Sequence, residues 1–175
     1  MIDKELIESC LKDDKIAQKK FYVFFAKQMF IHCYRYVKNK EDAEEIVSEG
    51  FIKVFQSLPR FEYRDVKSTA AWVKRIMINE SLMFLRKNHK LVGNPSLEPM
   101  ATDETGTEMD MDASDIYALI LHLPLGYRTV FNLYAIEGYT HKEIAEKLSI
   151  GESTSRSQLA KARAMLKKNV KVWNQ

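Results

Sequence analysis

Glycine and proline are scarce in this sequence of 175 residues, which holds six glycines and four prolines. So low a content excludes a collagen-like chain, a mucin-like chain and a chain that is disordered throughout. The longest apolar stretches, such as residues 116–125, are far shorter than the roughly 20 residues of a membrane helix. The first residues, MIDKE, are acidic where a signal peptide has a basic and then an apolar run. We therefore expect a cytoplasmic protein without membrane insertion.

Cysteine and histidine are too few and too dispersed for a disulfide framework or a zinc site. Cys10 and Cys33 form no CxxC pair, and both fall within helical patterns, as is typical of small buried side chains in a reducing compartment. The four histidines show no zinc-ligand spacing. A nucleophile–base pair and a phosphate-binding loop are also missing, so the sequence predicts no metal, no cofactor and no catalytic residue.

The charges of the sequence fall into three blocks. Residues 1–90 carry 18 Lys/Arg and 13 Asp/Glu, and residues 128–175 carry 9 Lys/Arg and 4 Asp/Glu. Between these basic blocks, residues 91–127 carry 7 Asp/Glu and no Lys or Arg. Basic blocks are typical of proteins that bind nucleic acid, although a solvated surface also accounts for one such block.

Apolar residues at helical spacing fill both basic blocks, and no strand pattern appears, which predicts an all-α fold. We expect two small helical domains, residues 1–90 and 114–175, joined by an acidic flexible linker, residues 91–113, that is rich in Thr, Asp and Glu. In the first domain the pattern predicts helices to about residue 37, over 41–57 and over 68–87, with a loop at 60–67. Ser68 or Thr69 is the expected N-cap of the last helix.

Within the first of these helices, Phe21, Phe24, Phe25 and Ile31 form one apolar face. In the C-terminal domain the pattern predicts helices over 114–123 and 126–136, a short helix that ends near residue 148, and a longer helix to about residue 170.

The last two helices predict a helix-turn-helix. Thr140 and Glu143 have capping-box spacing at the start of the short helix, and a turn of three residues precedes the longer helix. One side of the longer helix is apolar, and the other offers side chains suited to base edges in a major groove. These are Ser153, Arg156, Ser157, Ala160 and Lys161, with Arg163 better placed for phosphates. A solvated amphipathic helix is the alternative interpretation.

Two helices of the N-terminal domain carry further polar stripes. Asp42, Glu45 and Glu49 lie opposite the apolar face of their helix, and such a stripe is either solvated or bound to a basic partner. In the next helix one face carries amide and guanidinium groups that suit bases and phosphates, with a lysine nearby. These residues are Lys74, Arg75, Asn79 and Arg86. Aromatic residues that stack on unpaired bases lie close in sequence, namely Phe61, Tyr63 and Trp72, although the core is the favoured place for Trp72.

Two runs, DAEEIVSEGFIKVFQSL at residues 42–58 and AAWVKRIMINESLMFLRK at 70–87, resemble the second conserved region of bacterial sigma factors of the extracytoplasmic-function group. The run LPLGYRTVFNLYAIEGYTHKEIAEKLSIGESTSRSQLAKARAML at residues 123–166 is similar to their fourth region. The resemblance covers about residues 5–170. It implies a promoter-specificity factor, not an enzyme, that binds core RNA polymerase and both recognises and melts promoter DNA. It also implies a possible anti-sigma or other recruiting protein as partner.

The resemblance assigns roles to the stripes. The acidic helix would hold the clamp of the largest polymerase subunit through Asp42, Glu45, Ser48, Glu49 and Phe51, although the family usually has Gln in place of Ser48. The loop and the helix that carry Phe61, Tyr63, Lys74, Arg75, Asn79 and Arg86 would capture the melted minus-ten element. The last helix would read the minus-thirty-five element. At its turn the family commonly has Gly where Ser149 and Ser153 stand, and often a capping Ser at Gly151.

The resemblance also gives the linker a role, because its charge imitates nucleic acid. We expect its carboxylates to compete with RNA for basic walls of the polymerase, and these are Glu98, Asp103, Glu104, Glu108, Asp110 and Asp112. The alternative function is a stand-alone helix-turn-helix regulator that binds duplex DNA as a dimer.

Overall fold

The computed structural model of the chain describes residues 2–88 and 114–173. The expected linker and its six carboxylates therefore lie outside the described residues. The chain divides into two compact units, Met1–Lys87 and Asn88–Gln175. All regular structure in the described ranges is helical, which confirms the predicted all-α class. Among the described helices, none combines the length and the apolar character that a bilayer crossing requires.

Unit 1 is a small helical bundle. It contains α1 (Lys4–Leu11), α2 (Lys15–Val37), α3 (Lys40–Ser57) and α4 (Val66–Lys87), with a 3-10 turn at Leu58–Arg60. Helices α2, α3 and α4 pack on one another in every pairing, and α1 packs on α2. Side chains from α2, α3 and α4 fill the core, because each of these helices presents an apolar stripe. Fully buried members of this core are Phe21, Phe25, Met29, Tyr36, Val54, Met77 and Leu85.

Helix α4 begins two residues earlier than predicted, and its cap is Asp65. The Asp65 carboxylate accepts a hydrogen bond from the Ser68 backbone N–H at 2.7 Å, and the Ser68 hydroxyl oxygen accepts one from the Asp65 N–H at 3.2 Å. The prediction that Ser68 or Thr69 caps this helix was therefore wrong, because Ser68 acts as the third helical residue of a reciprocal cap. The Ser68 N–H also holds the pKa of Asp65 below its usual value.

The predicted apolar face of α2 is only partly buried. Phe21 and Phe25 are buried, but Phe24 is 53% exposed and Ile31 is half-buried. The core stripe of α2 continues from Phe25 to Met29 at the i, i+4 spacing, which leaves Phe24 on the side of the helix that faces α1 and solvent.

The two cysteines are buried, as predicted. Burial raises the pKa of Cys10 to about 11, and the nearby Asp14 carboxylate adds to this effect. Burial also raises the pKa of the Cys33 thiol, to about 12. Both side chains therefore stay protonated at neutral pH and pack as small apolar groups.

Unit 2 contains α5 (Ser114–Leu121), α6 (Leu125–Phe131), α7 (His141–Leu148) and α8 (Glu152–Trp173) within its described residues. Helix α6 runs into a π-helical turn, Asn132–Ile136, instead of the continuous α-helix that the sequence predicts. Helices α5, α6 and α7 all pack on α8. Their shared core is Leu123, Val130, Leu133, Ile144, Leu159 and Ala162.

Helices α7 and α8 form the predicted helix-turn-helix. The capping box is confirmed: Glu143 Oε2 accepts from the Thr140 N–H at 2.8 Å, and Thr140 Oγ1 accepts from the Glu143 N–H at 3.3 Å. Ser149 ends α7 in the left-handed region, with φ 55° and ψ 45°. A residue with a Cβ in this conformation costs about 1 kcal/mol relative to glycine.

Candidate functional site

The N-terminal half of α8 has one buried side and one solvent-exposed side. Ser155, Leu159 and Ala162 are buried against the rest of unit 2. Every residue predicted to contact the upstream DNA element is exposed, and these are Ser153, Arg156, Ser157, Ala160, Lys161 and Arg163. The helix therefore presents hydroxyl, methyl, guanidinium and ammonium groups together on its open side, the groups that distinguish bases in a major groove.

Buried and aromatic groups fix the orientation of α8. His141 Nδ1 lies 2.9 Å from Ser155 Oγ, which joins the start of α7 to α8. The His141 ring stacks on Tyr134 with 4.6 Å between ring centroids, and the Arg163 guanidinium lies 5.6 Å from the Tyr134 centroid. These contacts leave α8 little freedom to rotate about its own axis, so the same side chains face outward.

Arg156 has an ion-pair partner on its own helix. Its Nη2 lies 2.6 Å from Glu152 Oε2, one helical turn earlier, and both side chains are about half exposed. The pair contributes little to stability because both charges remain in water. It does hold the guanidinium beside the first turn of α8, the part of a recognition helix that contacts base edges.

On α3 the acidic stripe is exposed as a continuous surface. Glu45 and Glu49 are exposed, Ser48 lies beside them, and Asp42 is half-buried at the N-terminal end. The same stripe continues one turn further to Ile52, which is 58% exposed. Sequence reasoning assigned no role to Ile52, although the helical period places it with the acidic stripe and outside the apolar stripe of α3.

Phe51 does not lie on this surface. It is 3% exposed and packs against Tyr22, with 4.6 Å between ring centroids, and against Phe55, at 6.2 Å. A side chain so placed holds α3 against α2 and offers no atoms to a partner. Of the five residues that the resemblance assigns to the polymerase clamp, Phe51 is therefore the one whose side chain is buried and cannot contact a partner.

One side of α4 brings together an aromatic pair and several polar groups. Phe61, from the loop before α4, stacks on Trp72 with 4.3 Å between centroids and 22° between ring planes. Arg75, Asn79 and Arg86 follow Trp72 along the same side of the helix. Trp72 is half-buried rather than a core residue, and its ring supports the loop through the stack on Phe61.

Lys74 and Tyr63 are placed differently from the rest of the predicted set. Lys74 lies on a different side of α4 from Asn79, because a separation of five residues corresponds to about 140° around a helix. The Tyr63 hydroxyl donates a hydrogen bond to the Ile2 carbonyl at 3.2 Å, which ties the loop to the start of the chain. Met83, which is 53% exposed between Asn79 and Arg86, also belongs to the α4 surface, although no sequence pattern pointed to it.

Comparison with protein-family models supports both units. Residues 25–91 match the model described as Sigma-70 region 2, and residues 113–166 match the model described as Sigma-70, region 4. The order of the two matches along the chain is the order of the two helical units.

Relatives resemble the chain over nearly its whole length. The ECF RNA polymerase sigma-E factor of Haemophilus influenzae is 24% identical over 184 residues, covering 97% of this chain and 96% of that protein. The ECF RNA polymerase sigma factor SigW of Bacillus subtilis is 26% identical over 185 residues, covering 98% of each.

Solved structures share the fold. The sigma factor RpoE from Bartonella quintana, solved in complex with the anti-sigma factor NepR, gives a TM-score of 0.52 at 19% identity, over 88% of this chain and 96% of that chain. CnrH, solved in complex with the cytosolic domain of CnrY, gives a TM-score of 0.51 at 18% identity, over 97% of each chain. The two region matches and the relatives that cover nearly the whole chain show that it belongs to the sigma-70 family, as a sigma factor of the extracytoplasmic-function group.

Proposed function

We propose that the chain gives core RNA polymerase its promoter specificity through three separate surfaces. Unit 2 reads the upstream element with α8, unit 1 captures the melted strand with α4, and unit 1 holds the polymerase clamp with α3. The observation that carries this proposal is the open side of α8, where Arg156 and its exposed neighbours stand opposite a buried side that fixes the helix.

In the upstream element, Arg156 is the main reader of bases. A guanidinium donates two hydrogen bonds to the O6 and N7 edge of guanine, and it must exchange its Glu152 partner for the base. Ser153 and Ser157 offer hydroxyls to several bases, and Ala160 offers its methyl group to thymine. Lys161 and Arg163 neutralise phosphates, which raises affinity without selecting a sequence.

For the melted element, we propose that the α4 surface receives unstacked bases. The stacked pair Phe61 and Trp72 supplies a rigid aromatic edge, and Asn79 offers the amide that suits adenine. Arg75 and Arg86 are exposed on the same side and hold the strand by its phosphates. Capture of unpaired bases offsets the few kcal/mol that unpairing costs, so binding itself drives melting.

For the polymerase contact, Glu45 and Glu49 present their charges to a basic clamp surface, with Ser48 beside them and Asp42 at the edge. Ile52 adds exposed apolar area to this acidic surface, and the buried Phe51 packs α3 against the rest of unit 1. The chain supplies recognition and strand capture in the cytoplasm, while the polymerase forms the bonds of the RNA.

The test measures initiation with and without the polymerase. Run-off transcription with core RNA polymerase is expected to become specific to particular templates when the full chain is added. Specific duplex binding by the chain alone, with no effect on the polymerase, would instead indicate a stand-alone regulator. Binding to polymerase without template selection would indicate an interaction protein that does not read DNA.

An exposed glutamate on α1 provides a matched control for the clamp surface. Glu45 lies on the proposed contact, whereas Glu5 is exposed on another helix of unit 1. Glu45→Lys is expected to weaken the complex with core polymerase, and Glu5→Lys, the identical charge change, is expected to leave it nearly unchanged. Equal loss in both variants would show that net charge, and not this surface, determines binding.

A further inference from the structure

An open apolar groove lies where α1 meets the first half of α2. Its volume is about 500 Å³, within the range of protein binding pockets. The lining residues are Ile2, Leu6, Ile16, Lys19, Lys20, Val23 and Phe24. None of them belongs to the polymerase surface of α3 or to either proposed DNA surface, so the groove is unused by the function described above.

The groove exposes large apolar side chains to solvent. Ile16 is 69% exposed, Val23 is 64% exposed and Phe24 is 53% exposed. Ile16 and Val23 are seven residues apart on one side of α2, two turns along the helix, and Phe24 stands beside Val23. A contiguous apolar patch of this kind marks an interaction site in a soluble protein more often than scattered exposed residues do.

The charge at the groove has one sign. Lys19 and Lys20 are the ionisable residues of its lining, and Lys27 follows Lys20 after two further turns of the same side of α2. Helix α2 contains no Asp or Glu at all from Lys15 to Val37. A partner that fills the groove with apolar side chains therefore meets lysines at its edge, and carboxylates on the partner complement them.

We propose that this groove binds an acidic amphipathic helix of another protein, with the apolar side of that helix in the groove and its carboxylates on Lys19 and Lys20. An apolar groove of this kind suits a helix with anchors at i, i+3, i+4 and i+7, and the two lysines at its edge suit carboxylates on that helix. Binding here leaves the α3 and α4 surfaces open, so a protein so recruited can act on the chain while it is bound to polymerase and DNA.

The experiment uses the full chain with any tag at the C-terminus, because Ile2 lines the groove. The probe is a fluorescent synthetic helix with leucines at i, i+3, i+4 and i+7 and glutamates on its other positions. A second peptide has the same leucines and lysines in place of the glutamates. Fluorescence anisotropy at low and high salt gives the affinity of each peptide.

The expected result is binding of the acidic peptide, with weak or no binding of the basic one. K19E/K20E should lower the affinity about tenfold, the size expected for two exposed ion pairs. K67E/K87E makes the same charge change at exposed α4 positions outside the groove and should have little effect. I16S/V23S should also abolish tight binding, and since both side chains are largely exposed, the fold should survive.

Four outcomes would overturn the proposal. They are failure of the acidic peptide to bind, equal affinity for the two peptides, an equal loss in the groove and control lysine variants, and retention of affinity in I16S/V23S. Anionic phosphatidylglycerol vesicles and analytical ultracentrifugation test the other occupants. Vesicle binding or self-association that depends on Ile16 and Val23, without peptide binding, would assign the groove to a membrane or to a second copy.

Discussion

Replacement of Ser149 by glycine tests whether the turn of the helix-turn-helix is strained. Ser149 lies between α7 and α8 with φ 55°, a left-handed conformation that disfavours residues with a Cβ. The Ser149 N–H donates to the Ala145 carbonyl, so this left-handed conformation is part of the C-cap of α7. Glycine adopts the same conformation without a steric penalty and keeps this hydrogen bond.

The expected change in the stability of unit 2 is the strain that glycine relieves minus the stability lost because the unfolded chain becomes more flexible. Glycine relieves about 1 to 2 kcal/mol of left-handed strain. It also makes the unfolded chain more flexible, which removes about 0.5 to 1 kcal/mol of that gain. We therefore expect Ser149→Gly to stabilise unit 2 by about 0.5 to 1 kcal/mol, which lowers the population of its opened state by about two- to fivefold.

Native-state hydrogen exchange, read by mass spectrometry on peptides from α7 and α8, measures this population in the full chain. Gly138→Ser is the matched opposite change, because Gly138 has φ 78° and an added Cβ would meet nothing within 4 Å. Exchange should slow in Ser149→Gly and quicken in Gly138→Ser. The reasoning fails if Ser149→Gly exchanges at the wild-type rate or faster while Gly138→Ser is destabilised.

Three further changes test local parts of the fold. Asp65→Ala should lower the urea midpoint at neutral pH, because it removes the carboxylate that caps α4. The difference in midpoint between the variant and the wild type should vanish as the pH falls through the lowered pKa of Asp65, because protonation removes the cap in the wild type as well. A difference that stays constant at all pH values would refute this. Gly50→Ala places a Cβ against the Sδ of Met77, which is fully buried and has little room to move. Overpacking of about 1 to 3 kcal/mol should therefore exceed the helix-propensity gain of up to about 1 kcal/mol and lower the urea midpoint, and Met77→Val should partly restore it. Thr140→Ala removes the α7 cap and should destabilise unit 2 by about 1 kcal/mol in the same hydrogen-exchange assay, and unchanged exchange in α7 would contradict the cap.

The helix-turn-helix was predictable because its signals are local. The Thr140 and Glu143 capping box needs only a spacing of three residues, and the two sides of α8 follow from a period of 3.6. The exposed positions of Arg156 and Ser157 therefore follow from the sequence, and the structure shows them at the surface. The ion pair between Glu152 and Arg156 has the i, i+4 spacing at which opposite charges meet on a helix, so it too is a local signal.

Other features depend on tertiary packing, which periodicity does not encode. On α3 the helical period places Phe51 with the apolar stripe and Ile52 with the acidic stripe, but it does not show that the apolar side chain of Ile52 is left uncovered by the rest of unit 1. Phe24 is likewise left exposed because the bundle uses the neighbouring stripe of α2. The stack of Phe61 on Trp72 requires the loop to fold back on α4, which no local signal predicts. The π-helical turn after Phe131 has no sequence signature that we recognise.

The most direct test of the account maps transcription start sites in vitro. Core RNA polymerase is incubated with genomic DNA fragments of the encoding organism, with and without the full chain, and the 5′ ends of the RNA are sequenced. We predict a new set of starts that share an upstream and a minus-ten motif, and Arg156→Ala should relax the upstream motif at the position it reads. A set of starts identical to that of core polymerase alone would contradict the central claim.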